Sequence, residues 1–214
     1  MKIINQSHKI LNISKTALQD IEVTARTCYK SEDRITEGSA EKLVSNLIKR
    51  EHLAILEFGD ITVRFITNRG VSHELVRHRL CSFAQESTRY VKYNSEMEFI
   101  RPVWLSEEIL GEHFDDSFDP ILIPSDPEFI FIKSLCEAEE SYCNLLDKGW
   151  KAQQAREVLP NALKTEIVMK GNIREWRHIF SLRCDKAAHP QMVALMRPLL
   201  DEVKTIIPII FDDI

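Results

Sequence analysis

Apolar residues recur along this chain with two periods. In "FGDITVRFITNRG" Ile61, Val63 and Phe65 alternate with Thr62, Arg64 and Ile66, which predicts a strand closed by Asn68 and Gly70. "LKTEIVMKG" repeats the alternation with Thr165, Ile167 and Met169 and predicts another. Elsewhere the spacing is helical. Leu18, Ile21, Ala25 and Cys28 share one face of a helix for which Ser14 serves as N-cap, and a second helix from near Ser39 presents Leu43, Leu47 and Ile48. Phe131, Leu135, Ala138, Tyr142 and Leu145 form the core stripe of a long helix, and "QQAREVLP" is a short one ended by Pro160. Asn172 stands at an N-cap position ahead of "NIREWRHIFSLR", and Pro190 opens a last helix with Pro198 inside it as a kink point.

The segments between these are less regular. A short helix is expected from Ser72 to about Arg79, followed by a loop, "CSFAQES", and a strand over 88–93. From about Leu105 to Pro127 Asp, Glu, Pro and Gly occur without regular spacing, which reads as a surface loop or lid. There is no internal repeat. Helices outnumber strands and the few strands look antiparallel, so the fold class is α+β, a small, mainly antiparallel sheet packed with long helices.

The 214 residues, 24.8 kDa, suffice for one large domain or two small ones with a real core. At 44% hydrophobic and 29% charged the chain has the composition of an ordinary globular protein. Its formal net charge is -5, so the cations of "HELVRHRLCSFAQESTRY" are a local island in an acidic protein. That balance argues against a nucleic-acid partner and favours small anions. The five cysteines lack any Cys-x-x-Cys pair, which predicts reduced thiols and no disulfide framework. The opening "MKIINQSHKILNIS" has no long apolar core, and no stretch offers the ~18 apolar residues of a membrane span, so a cytoplasmic protein without membrane contact is expected.

His73-Glu74 followed by His78 imitates a zinc helix, but the two imidazoles are five residues apart, roughly 140° around a helix, and no metal is expected. Neither Gly-x-Gly-x-x-Gly nor a P-loop is present, so side chains must bind any phosphate. Arginine suits that task through its paired, charge-assisted bonds, and Arg77, Arg79, Arg89, Arg156, Arg174 and Arg183 are spread over three segments that folding could bring together. No base and orienting acid stand beside Ser87 in sequence, so a phosphate or ring ligand is a more economical role for it than covalent nucleophile. Cys81 reads as a small buried residue and Cys136 and Cys143 as helix packing.

Arg77-His78-Arg79, seven intervening residues, Ser87, then Arg89-Tyr90 resembles the signature of the flavin-dependent thymidylate synthases, the ThyX family, across "RHRLCSFAQESTRY". "REHLAILEF", "AREVLP" and "NIREWRHIFSLRC" resemble further family segments in the same order. The resemblance implies a single domain over 1–214 and reductive methylation of dUMP to dTMP. It implies FAD as hydride carrier, NADPH as reductant and 5,10-methylenetetrahydrofolate as carbon donor, in a homotetramer whose active sites form where subunits meet. His52, Ala54, Arg77, His78, Arg79, Gln85, Asn172, Ile173, Arg174 and His178 fall where the family contacts flavin. Glu74, Arg77, Gln85, Glu86, Ser87, Thr88, Arg89, Arg156 and Arg183 fall where it contacts dUMP, with Arg183 and Ser87 as the catalytic pair. Arg183 matches the arginine near the uracil N3 and O2 edge, where a cation stabilises charge spreading into the ring. This chain departs from many relatives in having Ala84-Gln85 for Asn-Glu, and from some in having Glu74 for Gln and His178 for Asn.

Overall fold

The computed structural model describes residues 1–93, 96–113 and 126–214, which form two compact units. The first contains 1–7, 65–75 and 84–167, and the second 8–64, 76–83 and 168–214. The segment expected to be a lid lies outside the described residues over 114–125. Its described part holds a 3-10 turn at Glu107–Ile109 and the strand β6, Gly111–Glu112, and its end at Pro127 begins a helix.

In the first unit β1 (Lys2–Ile4) is the centre of a three-stranded sheet, parallel to β5 (Glu98–Ile100) and antiparallel to β6. Ile3 pairs with Phe99 on one side and Gly111 on the other. The parallel pair departs from the antiparallel expectation. The core gathers Met1, Ile3, Met97 and Phe99 around the inner stripe of the long helix α4 (Pro127–Asp147), where Ile132, Leu135, Cys136 and Tyr142 are buried. Asp126 caps α4 by accepting from the Glu128 amide and Pro127 fills its first turn, which is why the helix starts there. Cys136 and Cys143 are packing residues, as expected.

The second unit is mostly helical. Ile21 and Ala25 of α1 (Ala17–Tyr29) and Val44 and Leu47 of α2 (Ser39–Lys49) are buried where these two helices pack together. Cys28 is exposed instead of joining the apolar face. The cap of α1 is Thr16, and Ser14 instead accepts from the Thr16 amide and donates to Asp20. A 3-10 turn at Leu53–Phe58 leads to Gly59, where a Cβ would meet Ile173 at 2.5 Å. That close approach seats α6 (Ile173–Arg183), and Trp176 anchors it, fully buried with its indole N–H donating to the Ile61 carbonyl at 3.0 Å. Trp104 and Trp150, both in the first unit, are exposed. The last helix, α7 (Pro190–Ile206), packs on α6 and contains Pro198.

A four-stranded sheet has the order β2 (Ser7–Ile13), β3 (Asp60–Asn68), β7 (Lys164–Asn172), β4 (Ser82–Gln85). β3 and β7 bury alternate residues as their period requires. β4 occupies part of the stretch expected to be a loop, and the strand expected over 88–93 is absent among the described residues. The reason is local: Tyr90 and Val91 amides both donate to the Ser87 carbonyl, which closes a turn there. β4 hides its period because its inward position at residue 85 is a glutamine, bonded to Ser72 Oγ at 2.9 Å and Thr165 Oγ1 at 3.2 Å. The helix expected over 72–79 is α3 (Arg69–Leu75), shorter and earlier, because Asn68 accepts from the Val71 amide and starts it.

Candidate active site

The residues singled out in sequence divide between the units. In the first unit the Ser87–Tyr90 turn collects two guanidiniums. Arg89 donates from Nε to Gln153 of α5 (Ala152–Ala155) at 3.2 Å and stacks over Tyr90, while Arg156 reaches Thr88 Oγ1 at 3.5 Å. Arg89 and Arg156 are exposed and Ser87 is half-buried, so charge and hydroxyl remain available to an anion. The Ser87 hydroxyl accepts from the Arg89 amide at 3.3 Å and has no base beside it among the described residues, which fits a ligand-holding role.

Glu86 behaves differently from its neighbours. Its carboxylate accepts from the Tyr93 phenol at 2.7 Å and the Glu166 amide at 3.3 Å, and its own amide donates to the Glu166 carbonyl. Its backbone and side chain therefore pin the turn to β7. Lys164 lies 3.8 Å from Glu86, 3.6 Å from Glu98 and 3.1 Å from Glu166. Burial pulls the Lys164 ammonium down, but the Glu166 hydrogen bond and these carboxylates outweigh it and hold the pKa above the ordinary lysine value. Burial, then the hydrogen bond to Glu86, push the Tyr93 phenol up. Glu74, half-buried on α3, belongs to this unit as well.

In the second unit Arg77-His78-Arg79 lies on a turn past α3, with the two arginines exposed and His78 buried. The triplet thus supplies two cations around a neutral ring. Burial, then the charges of Arg183 and His178, lower the His78 pKa to about 4. The Glu175 carboxylate lies 3.7 Å from one ring nitrogen, Nδ1. Arg183 donates from Nε to His78 Nε2 at 3.0 Å, so that nitrogen holds a lone pair and the ring proton belongs on Nδ1, facing Glu175. The His178 ring stands edge-on to His78 at 6.4 Å. Cys81 follows the triplet, and burial, then Glu175, push its thiol up to about 12, which makes it inert at neutral pH.

A cleft of about 750 Å³ runs beside α6. Asn172, Arg174 and His178 line it, joined by Glu57, Glu175 and Arg177, which sequence reasoning had missed. His52 and Ala54, both exposed, instead line a smaller hollow of about 350 Å³ to which Arg174 also contributes. Ile173 is buried and positions the helix. Asn172 caps α6 by accepting from the Glu175 amide at 2.8 Å, as its position predicted. Arg174 is paired with Glu57 at 2.6 Å, with both side chains about half exposed. Such a pair contributes under ~1 kcal/mol, so a phosphate could displace the glutamate readily. Arg177 is committed elsewhere, forked onto Asp213 at 2.6 and 2.7 Å and bonded to the Ile210 carbonyl. The exposed guanidinium and the room beside it fit the diphosphate and ring of a dinucleotide cofactor. Among the described residues no three His, Cys, Asp or Glu side chains are grouped to hold a metal ion, and no helix is long and apolar enough to cross a membrane.

The sequence profile of the thymidylate synthase complementing protein family matches residues 9–209. The flavin-dependent thymidylate synthase of Corynebacterium efficiens is 33% identical over 202 residues, which cover 90% of this chain and 78% of that protein. The enzyme of the same name from Geobacter sulfurreducens is 29% identical over 206 residues, covering 90% and 80%. Among solved structures, the UMP/dUMP methylase PolB from Streptomyces cacaoi, bound with 5-Br dUMP, superimposes with a TM-score of 0.79 over 99% of this chain and 96% of that one. Its sequence identity is 20%, so the likeness is one of fold.

Proposed function

Because this chain belongs to the thymidylate synthase complementing protein family, the flavin-dependent thymidylate synthases, we propose that it converts dUMP to dTMP by reductive methylation. The carbon comes from 5,10-methylenetetrahydrofolate and the reducing equivalents from NADPH. The observation that carries this reading is the delivery of Arg89 and Arg156 to the Ser87 turn. A nucleoside monophosphate brings nearly two negative charges at neutral pH, and two guanidiniums at a turn that also carries hydroxyls match that load.

In this reading Ser87, Thr88, Arg89 and Arg156 hold the dUMP phosphate, Gln85 and Glu86 fix the turn that carries them, and Glu74 and Arg77 complete the nucleotide contacts. Asn172, Arg174 and His178, with His52 and Ala54 and the exposed Arg77 and Arg79, hold FAD. His78 serves the site through Arg183 and Ile173 through its seating of α6. Bound FAD supplies the hydride that completes the methyl group. The chain's own contribution is electrostatic: Arg183 keeps its positive charge against the uracil edge, stabilising charge as C5 becomes nucleophilic, and no enzyme nucleophile is required. In the same reading 1–214 is one catalytic domain that works as a homotetramer, in which each active site draws on more than one protomer.

The test is dTMP formation by the FAD-loaded protein given dUMP, methylenetetrahydrofolate and NADPH, followed by chromatography. Arg183→Ala should abolish product while leaving the flavin absorbance in place. A flavin-loaded wild-type protein that makes no dTMP, or an Arg183→Ala variant with near-normal turnover, overturns the reading.

A further inference from the structure

Half-buried Arg183 sits at the end of a chain of three groups whose other two members are buried. Its Nε–H donates to His78 Nε2 at 3.0 Å, and the opposite ring nitrogen faces Glu175 Oε1 at 3.7 Å. His78 is 5% exposed and Glu175 8%, so solvent does little to hold either one in place. The geometry works with one tautomer only. A proton on Nε2 would point N–H at N–H and turn the Arg183 guanidinium away. A proton on Nδ1 leaves the lone pair that Arg183 needs, and the Glu175 carboxylate, 3.7 Å from Nδ1, favours a proton there by its charge.

We propose that Glu175 is a positioning residue: through the His78 ring it selects the tautomer that aims the Arg183 guanidinium. This rests on the reading of Arg183 given above. Neither Glu175 nor His78 need touch the nucleotide. In the N3 position of α6 Glu175 offers its amide to the Asn172 cap, while its side chain, at the wall of the cleft beside α6, is turned toward His78. A carboxylate taken out of water calls for a partner, and the Nδ1–H of His78 is the one it faces. His178, which meets the same ring edge-on, is exposed.

The experiment uses FAD-loaded enzyme labelled with 15N-histidine, in which solid-state NMR distinguishes the two tautomers at pH 7.5. Wild type should show His78 protonated on Nδ1. Glu175→Leu, which offers no acceptor, should shift the ring toward the Nε2–H form and lower kcat by at least about tenfold at full flavin occupancy, the scale expected for a misplaced catalytic group. Glu175→Gln keeps an acceptor oxygen and should restore the Nδ1–H signal and most of kcat, which a loss of packing alone would not explain. If Glu175→Leu folds, holds flavin and retains the Nδ1–H signal, or if Glu175→Gln fails to rescue it, the proposal is overturned. If Glu175→Leu does not fold, Glu175→Met, which likewise offers no acceptor oxygen, takes its place, with the same two outcomes. A silent Arg183→Ala variant would overturn the role of Arg183, while the NMR signal would still report on the link between Glu175 and His78.

Discussion

Gly171 in β7 offers a direct test of how packing controls the cationic turn. A Cβ built there would lie 2.7 Å from Cys81 Sγ and 3.4 Å from the Trp176 indole nitrogen. Its backbone is not in the left-handed region, so alanine meets no conformational strain and would gain ~0.4–1 kcal/mol from the stiffer unfolded chain. The contact with sulfur opposes this. Real Cβ atoms do not approach so closely, and with the Cys81 backbone held by its amide bond to the His78 carbonyl at 3.0 Å, relief requires the half-buried sulfur to leave its rotamer. Trp176 is fixed by its bond to Ile61. Overpacking of this kind costs ~1–3 kcal/mol, so Gly171→Ala should lose roughly 1–2 kcal/mol net. In urea denaturation that is a midpoint lowered by roughly 0.5–1 M. Cys81→Ala removes the obstructing atom, and in that background Gly171→Ala should be neutral or stabilising, a coupling of about 1–3 kcal/mol between the two positions. The single variant should also weaken flavin binding, since displacing Cys81 moves the turn that carries Arg79. An equal cost of Gly171→Ala in both backgrounds refutes the reasoning.

Other expectations follow from the same geometry. The unfolded chain protonates His78 near pH 6.5 and the folded chain near 4, so the unfolded state binds more protons between those values, and stability is lost as the pH is lowered through that window. The full difference is about 3 kcal/mol at most, and His78→Gln should flatten the wild-type slope of unfolding free energy between pH 7 and 4.5. Tyr93→Phe removes the phenol bond to Glu86 and should cost ~1–3 kcal/mol in urea unfolding while weakening dUMP binding in calorimetry; unchanged binding would show that Glu86 does not hold the turn. Arg174→Ala and Glu57→Ala should each change stability by under ~1 kcal/mol, yet only Arg174→Ala should weaken flavin retention. Equal losses from both would mean that the ion pair, rather than the cation, matters.

What the sequence showed and what it hid divide along physical lines. β3, β7 and α6 were legible because two-residue alternation and an Asn172 cap are local signals that need no knowledge of the fold. The Ser14 cap failed because a second candidate stood two residues on, and α3 was misplaced because Asn68 could be read as the end of a strand as easily as the start of a helix. β4 was invisible because a strand whose inward residue is Gln85 has no apolar alternation, and its logic lies in partners far along the chain, Ser72 and Thr165. The site was legible as a set of residue types, since the spacing in "RHRLCSFAQESTRY" is distinctive. Its wiring was not: Arg183 and His78 are 105 positions apart, and nothing in the triplet reveals that its middle member is neutral. Glu175 was masked by its place in the first turn of α6, where a glutamate needs no special explanation.

Trp176 has a consequence for how this protein can be watched. It is the buried tryptophan of the second unit, whereas Trp104 and Trp150 are exposed and belong to the first. An indole shut away from water emits at shorter wavelength than one in contact with it, so the two parts of the chain carry distinguishable intrinsic fluorophores. Replacing Trp104 and Trp150 with phenylalanine would leave a single reporter beside the helix that carries Arg174 and Arg183. Its red shift in rising denaturant, set against the loss of total helical signal, would tell whether the two units melt in one cooperative step or in succession.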